Sequence, residues 1–391
     1  MRIAHLGDFH LGRKINDYSI IESQREILNQ IADKIDKKEI ETVIIAGDVY
    51  DASIPEPEAV AVLSEFLTRL RNANKDVFMI AGNHDPGSYI EYGGDLFREM
   101  DIHVTGTWKG KLECVDLLDR FGPLHVYCLP YITPADINRY ITNEDERVED
   151  FDGAVRYAIS TADINWEERN ILVAHQYVSG AEPWPNGSED YLTFDSGGVN
   201  PEVLEGFEYV ALGHIHNPQS VGKDTIRYCG APLKFNAEET DKECSFTYVT
   251  LSDKGDYRIS TVLLEPEQKM ERLEGTFEQL VSPEFYEAHR DNLLTIILDE
   301  EKDIPDAITS LRKFYPYILG VSYSDGRIQT NHIIRSKEDM TIKDAEADQG
   351  IAEPLSLFAE FYTTCNGTPM SEKQKDHMEK LIREVFSEET A

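Results

Sequence analysis

The chain has 391 residues, enough to bury a large core and to form more than one domain. Its 41% hydrophobic and 10% aromatic content is that of an ordinary soluble globular protein, and no apolar run approaches the roughly 18 residues that suggest a membrane span. A formal charge of -35 argues against a protein that finds nucleic acid through its overall field, so a polyanionic substrate would need local cations, bound metals or a basic partner.

The N-terminal stretch MRIAHLGDFHLG places Asp8 too early for a secretory leader, and no small-residue cleavage site follows, which points to the cytoplasm. Buried strands are predicted at RIAHLG (2–7), TVIIAG (42–47), VFMIAG (77–82), NILVAH (170–175) and YVALGH (209–214). Between the first three lie helical patterns: Ile20, Ile27, Ile31 and Ile35 share a face, as do Val60, Leu63, Leu67 and Leu70 behind Pro55 and Pro57. This βαβ alternation predicts an α/β domain whose ligands sit beyond the carboxyl ends of its strands.

Further along, LHVYCLPYI is a strand candidate and NEDERVED a solvated loop or helix face. Residues 226–264 read as several strands with a turn at DKGD, suggesting a second antiparallel layer. A small separate α/β unit follows, built from LLTIILDE, from DIPDAITSLRKFY entered through Pro305, and from YILGVSYSDG. The charged stretch 336–350 reads as linker. Two amphipathic helices end the chain, one with Leu355, Phe358, Phe361 and Tyr362 on a stripe, the other opened by Ser371 and carrying Met378, Leu381, Ile382 and Val385. Such a short pair must dock on something, its own chain or a partner. The five cysteines are odd in number and far apart, so they read as small buried hydrophobes rather than disulfides or a zinc ribbon.

Five strands converge on polar ends: Asp8-Phe9-His10, Gly47-Asp48-Val49-Tyr50-Asp51, Gly82-Asn83-His84-Asp85, His175, and Gly213-His214-Ile215-His216. Asp8 with His10, and His214 with His216, are i, i+2 pairs that extended backbone would direct to one side. Carboxylate, imidazole and amide donors without thiolate suit divalent ions such as manganese, iron or zinc, with Mn2+ favoured. The candidate metal ligands are Asp8, His10, Asp48, Asn83, His175, His214 and His216. Seven are too many for one ion but suit two that share a carboxylate, and Asp48 is the natural bridge. Such a pair supports hydrolysis at phosphorus, with His84 as donor of the leaving-group proton and Asp85 orienting its loop or imidazole. His5, His103, His125, His289, His332 and His377 lack a strand-end setting and receive no catalytic role.

DFH, GDVYD, GNHD, AHQ and GHIH, in this order, resemble the calcineurin-like metallophosphoesterase family over the first 220 or so residues. DFHLGR, GDVYDASIPEPEAV, RYCGAPLKF and the terminal PLSLFAEFYTTCNGTPMSEKQ narrow the likeness to the SbcD family of bacterial nuclease subunits, counterparts of the meiotic-recombination nuclease. The resemblance implies an α/β fold: a metallophosphoesterase β-sandwich flanked by helices over 1–266, a small α/β capping domain over 267–335, a linker at 336–352 and partner-binding helices at 353–387. It implies a manganese-dependent double-strand exonuclease and single-strand endonuclease that acts on DNA beside an SbcC-type coiled-coil ATPase, as a homodimer within a heterotetramer. Asp8, His10, Asp48 and His216 would hold one metal, and Asp48, Asn83, His175 and His214 the other, with His84 as the catalytic histidine. Asp51 takes the position where archaeal relatives carry a second histidine and is the other catalytic candidate. A generic phosphatase or phosphodiesterase on small substrates is the alternative, and a structural subunit with a vestigial site a third reading.

Overall fold

The computed structural model describes residues 1–183, 197–239, 242–300, 302, 304–324, 370–371, 374–375 and 378. Two six-stranded sheets carry the fold. The first runs β14 (Tyr257–Leu263), β13 (Ser245–Leu251), β1 (Arg2–Leu6), β4 (Thr42–Ala46), β5 (Asp76–Ile80) and β6 (Ile102–Thr105). Its β1, β4, β5 and β6 are parallel, while β13 and β14 extend it antiparallel. The second runs β11 (Gln219–Val221), β12 (Lys223–Tyr228), β10 (Tyr209–Gly213), β9 (Arg169–His175), β8 (Gly122–Leu129) and β7 (Glu113–Asp119), parallel except at its two edges. The expected separate antiparallel layer at 226–264 is therefore divided. Its first strand pairs parallel with β10, and only the later two form a hairpin, which completes the other sheet.

The five strands expected to end in polar residues are β1, β4, β5, β9 and β10, and nearly every residue in them is buried. That follows from their place inside sheets covered on both faces. Between the sheets lie Ile3, Ile44, Phe78 and Ile80 from one side and Val126, Ile171, Val173 and Tyr209 from the other. Outside the first sheet, α1 (Ile21–Lys37) buries Ile27, Leu28, Ile31 and Ile35, with Lys34 and Lys37 placed favourably at its carboxyl end. Next to it, α2 (Pro57–Asn72) starts on a proline and buries Val62, Leu63, Phe66, Leu67 and Leu70. Val60 lies at the edge of that stripe, only partly covered. Short helices α3 (Gly87–Ile90) and α4 (Gly94–Arg98) lead into β6. The second sheet is covered by α5 (Pro134–Asn138) and α6 (Phe151–Ser160) through Ile137, Ala154, Val155 and Ala158. NEDERVED is exposed for most of its length and carries only a turn of 3-10 helix.

A smaller parallel sheet, β15 (Met270–Gly275), β16 (Leu293–Leu298) and β17 (Ile318–Tyr323), follows with α7 (Phe277–Leu280), α8 (Pro283–His289) and α9 (Ala307–Leu311). It has a core of its own, in which Leu280, Leu294, Ile296, Ala307, Leu311 and Tyr315 are buried. Met270, Leu293 and Leu319 pack instead into the core beside α1. Polar links reinforce that seat: Asn16 Nδ2 donates to the Leu319 carbonyl at 2.9 Å, beside the hairpin β2 (Lys14–Ile15) and β3 (Tyr18–Ser19).

Residues Met1–Asn331 form one compact unit and His332–Ala391 a second. The linker at 336–352 and most of the helices expected at 353–387 lie outside the described residues. Where residues of that region are described, the Ser371 backbone N–H and hydroxyl both donate to Gln374 Oε1, at 2.9 and 2.8 Å, in the manner of a helix start. No helix among the described residues is long and apolar enough to cross a membrane.

Candidate metal centre

The carboxyl ends of β1, β4 and β5 lie level, since Leu6 pairs with Ile45 and Ala46 with Ile80. In the other sheet His175 is opposite Gly213. A hydrogen bond from His175 Nδ1 to the Ala46 carbonyl, 2.7 Å, joins the two levels across the sandwich. It also turns His175 Nε2 toward the first sheet, fixing the ring nitrogen that faces the centre.

All seven expected ligands meet there. Nε2 of His10 is 3.1 Å from Nε2 of His216 and 3.6 Å from Oδ2 of Asp48. The same Asp48 oxygen is 3.3 Å from His175 Nε2, so it stands between two groups of donors. Asn83 Oδ1 is 3.0 Å from both His175 Nε2 and His214 Nδ1. Asp8 Oδ1 accepts the His214 backbone N–H at 2.8 Å, while its Oδ2 is buried with no hydrogen-bond partner. Four of these expected ligands come from the first sheet and three from the second.

The i, i+2 pairs do not converge by extended backbone. Asp8, His10, Asp48 and His214 have φ of 52°, 44°, 48° and 99°, and are four of the nine non-glycine residues with positive φ among those described. Strain of that kind is concentrated where function overdetermines it. The loops that hold it are tied down by buried polar groups. Asp85 accepts the N–H groups of Gly82, Val49 and Tyr50 at 2.8, 3.1 and 2.8 Å, joining the second and third strand ends, so it orients the loop and not the imidazole. Gln24 donates to the Phe9 and His10 carbonyls at 2.9 and 2.7 Å and accepts from Gly12 N–H at 3.0 Å. The sequence reading missed Gln24, although a glutamine inside the stripe Ile20–Ile27–Ile31 was the available signal. It also missed Phe235, whose ring lies 5.3 Å from that of His10 and 5.6 Å from that of His216.

His84 is the one partly buried imidazole of the five; the others are buried. Its backbone N–H donates to Asp48 Oδ1 at 3.0 Å, its ring packs edge-on to His10 at 4.9 Å, and its Nδ1 is 3.4 Å from the Asp51 carbonyl. The Asp51 carboxylate lies elsewhere, 3.3 Å from His10 Nδ1 and 2.8 Å from the Arg13 guanidinium. Burial would raise its pKa, but His10 and Arg13 outweigh that and hold it at about 2.

In the polypeptide alone the centre calls for positive charge. Burial, reinforced by Asp48, pushes Asp8 up to about 7. Burial works against a proton on His175, yet Asp48 and Asp8 hold one there with a pKa of about 9. Burial, followed by the charge on His175, drives His214 down to about 3, and burial also lowers His10 and His216. Imidazole nitrogens that lie 3.0–3.6 Å from one another, from the Asn83 amide oxygen and from the Asp48 carboxylate suit divalent cations, because neighbouring donors on an ion with bonds near 2.1 Å stand about 3 Å apart. The unpartnered Asp8 oxygen fits the same occupant.

Comparison with known proteins adds to this geometry. A calcineurin-like phosphoesterase family model matches residues 1–218, and a model described as the type 5 capsule protein repressor C-terminal domain matches 266–366. The chain is 26% identical over 395 residues to the SbcD subunit of the nuclease SbcCD from Staphylococcus epidermidis, with 100% of each chain covered. Among solved structures, a dimetal phosphatase from Danio rerio matches with 12% identity and a TM-score of 0.39, covering 68% of this chain and 99% of that one.

Proposed function

Because the chain belongs to the calcineurin-like phosphoesterase family, we propose that it is the nuclease subunit of an SbcCD-type DNA repair and recombination complex, a two-metal phosphodiester hydrolase. The observation that carries the reading is the meeting of Asp48 with six further oxygen- and nitrogen-donor residues, with one buried Asp8 oxygen left for a cation.

Asp8, His10, Asp48 and His216 would hold one ion, and Asp48, Asn83, His175 and His214 the other. When bound, two Mn2+ ions supply Lewis acidity that offsets charge at the phosphate and brings a hydroxide nucleophile within reach near neutral pH. The Ala46 carbonyl keeps His175 Nε2 turned inward. Asp51, braced by Arg13, orients His10. His84, beside this cluster and partly open to solvent, donates the proton that the departing sugar oxygen requires.

The match of the second family model over 266–366 supports assigning 267–335 as a cap that shapes access to DNA; the helices at 353–387, which it reaches only in part, would dock on an SbcC-type coiled-coil ATPase. Ends of duplex DNA, hairpins and single strands are the proposed substrates. With a charge of -35, the ions and the ATPase must supply most of the attraction for them. Tyr89, Tyr92, Leu96 and Met100 are exposed on and beside α3 and α4, and these apolar side chains support a homodimer formed there.

End-labelled linear duplex DNA, incubated with Mn2+ with and without the ATPase and ATP, tests the reading. The wild-type chain should degrade it, and His84→Ala should lose about 100-fold or more in rate while calorimetry still records Mn2+ binding. Turnover of small phosphoesters alone would select the generic phosphatase instead.

A further inference from the structure

Four groups of histidine, cysteine and acidic residues among those described could hold a metal ion, and three of them belong to the centre above. The fourth lies elsewhere, on the outer face of the β7–β8 hairpin. Cys114 and Asp116 are i, i+2 on the edge strand β7, and His125 stands directly opposite Asp116 on β8. Val115 and Leu117 alternate with them toward the core, so strand periodicity places the three polar side chains together outside. His125 pairs with Asn170 on β9, five residues before His175, which puts the cluster roughly 16 Å along the strands from the first centre.

We propose that Cys114, Asp116 and His125 form a separate site for one borderline-soft divalent cation of the Zn2+ or Co2+ class. His125 Nδ1 is 2.6 Å from Asp116 Oδ1, and Cys114 Sγ is 3.7 Å from the same oxygen. The sulfur–oxygen spacing is already that of two ligands on a tetrahedral ion, and a small rotation of the exposed Asp116 opens the shorter one. The other face of the imidazole supplies an independent observation. His125 Nε2 is 2.8 Å from Glu168 Oε2, a carboxylate-on-histidine arrangement that fixes the ring with Nδ1 turned toward Asp116 and Cys114.

The donor set separates this site from the first. A thiolate favours zinc-like ions, whereas carboxylate, amide and imidazole without sulfur accept manganese. On binding, the Cys114 thiol gives up its proton to solvent, as does His125 where it is protonated, and sulfur and nitrogen each donate a lone pair. No electron is transferred. Water completes the coordination, and the ion would brace an exposed sheet edge.

The test uses the full-length reduced chain, preloaded with Mn2+ and titrated with Co2+. A saturable near-ultraviolet sulfur-to-cobalt charge-transfer band should reach one equivalent and be displaced by Zn2+. It should vanish in Cys114→Ser, weaken about tenfold or more in apparent affinity in Glu168→Gln, and persist in Asp48→Asn. Absence of the band in the wild-type chain, or its survival in Cys114→Ser, would overturn the proposal and leave the cluster an ion-pair network. Circular dichroism of Cys114→Ser separates loss of the site from loss of fold.

Discussion

A methyl group added at Gly82 would stand 2.1 Å from Asp48 Oδ1 and 2.4 Å from the Asp48 backbone nitrogen, closer than atoms can approach. The glycine is needed for space beside the Asp48 carboxylate. Gly82→Ala should therefore displace Asp48, weaken Mn2+ binding by about tenfold or more in calorimetry and lower the melting temperature; unchanged affinity would contradict the assignment of Asp48 as the bridge. At this scale the clustering of the proposed ligands was legible because histidines, carboxylates and an amide at the ends of apolar strands have few other reasons to be there. Their supports were harder to see. Gln24 sits within an otherwise apolar helical stripe, and Asp51 meets His10 and Arg13 through folding that no local pattern reveals.

At the scale of elements, the parallel strands and the two long helices could be read from periodicity, because burial on both faces leaves an uninterrupted apolar run. β7 could not, since Leu118 lies outward at 80% exposure and interrupts the alternation. Nor could the splitting of 226–264 between two sheets, which is set by partners distant in the chain. At the end of the strands opposite the centre, Arg169 on β9 grips Asp119 on β7, with nitrogen–oxygen distances of 2.6 and 3.1 Å, and also donates to the Gly122 and Ser252 carbonyls. Burial would raise the Asp119 pKa, but the Arg169 guanidinium and the Met1 ammonium outweigh it and hold the carboxyl well below its usual range. A depressed folded-state pKa means the contribution is complete above the unfolded value near 4 and is lost as pH falls toward the folded one. Denaturant titrations should show stability falling below about pH 4, with that slope reduced in Asp119→Asn. The variant itself should be destabilised by about 3 kcal/mol at neutral pH, because Arg169 stays buried without its countercharge. An identical pH slope in both proteins would remove Asp119 as its source.

For the molecule as a whole, an excess of 35 negative charges opposes both DNA and self-association, so any contact between copies must be apolar and local. Four of the ten large hydrophobic side chains exposed among the described residues, Tyr89, Tyr92, Leu96 and Met100, fall within one short stretch of chain on and beside α3 and α4, where that opportunity is greatest. Sedimentation should find a dimer for the wild-type chain and a monomer for Tyr92→Asp with Leu96→Asp, with Mn2+ binding intact; a wild-type monomer at tens of micromolar would rule the face out. The division of the ligands between two sheets has a mechanical result as well. Cations seated there would rivet the halves of the sandwich, so that occupancy and cohesion would become one equilibrium. Chelation should lower the melting temperature, and each tenfold rise in free Mn2+ above its dissociation constant should add about 1.4 kcal/mol per site. A melting curve indifferent to both would mean that hydrophobic contact alone keeps the halves closed.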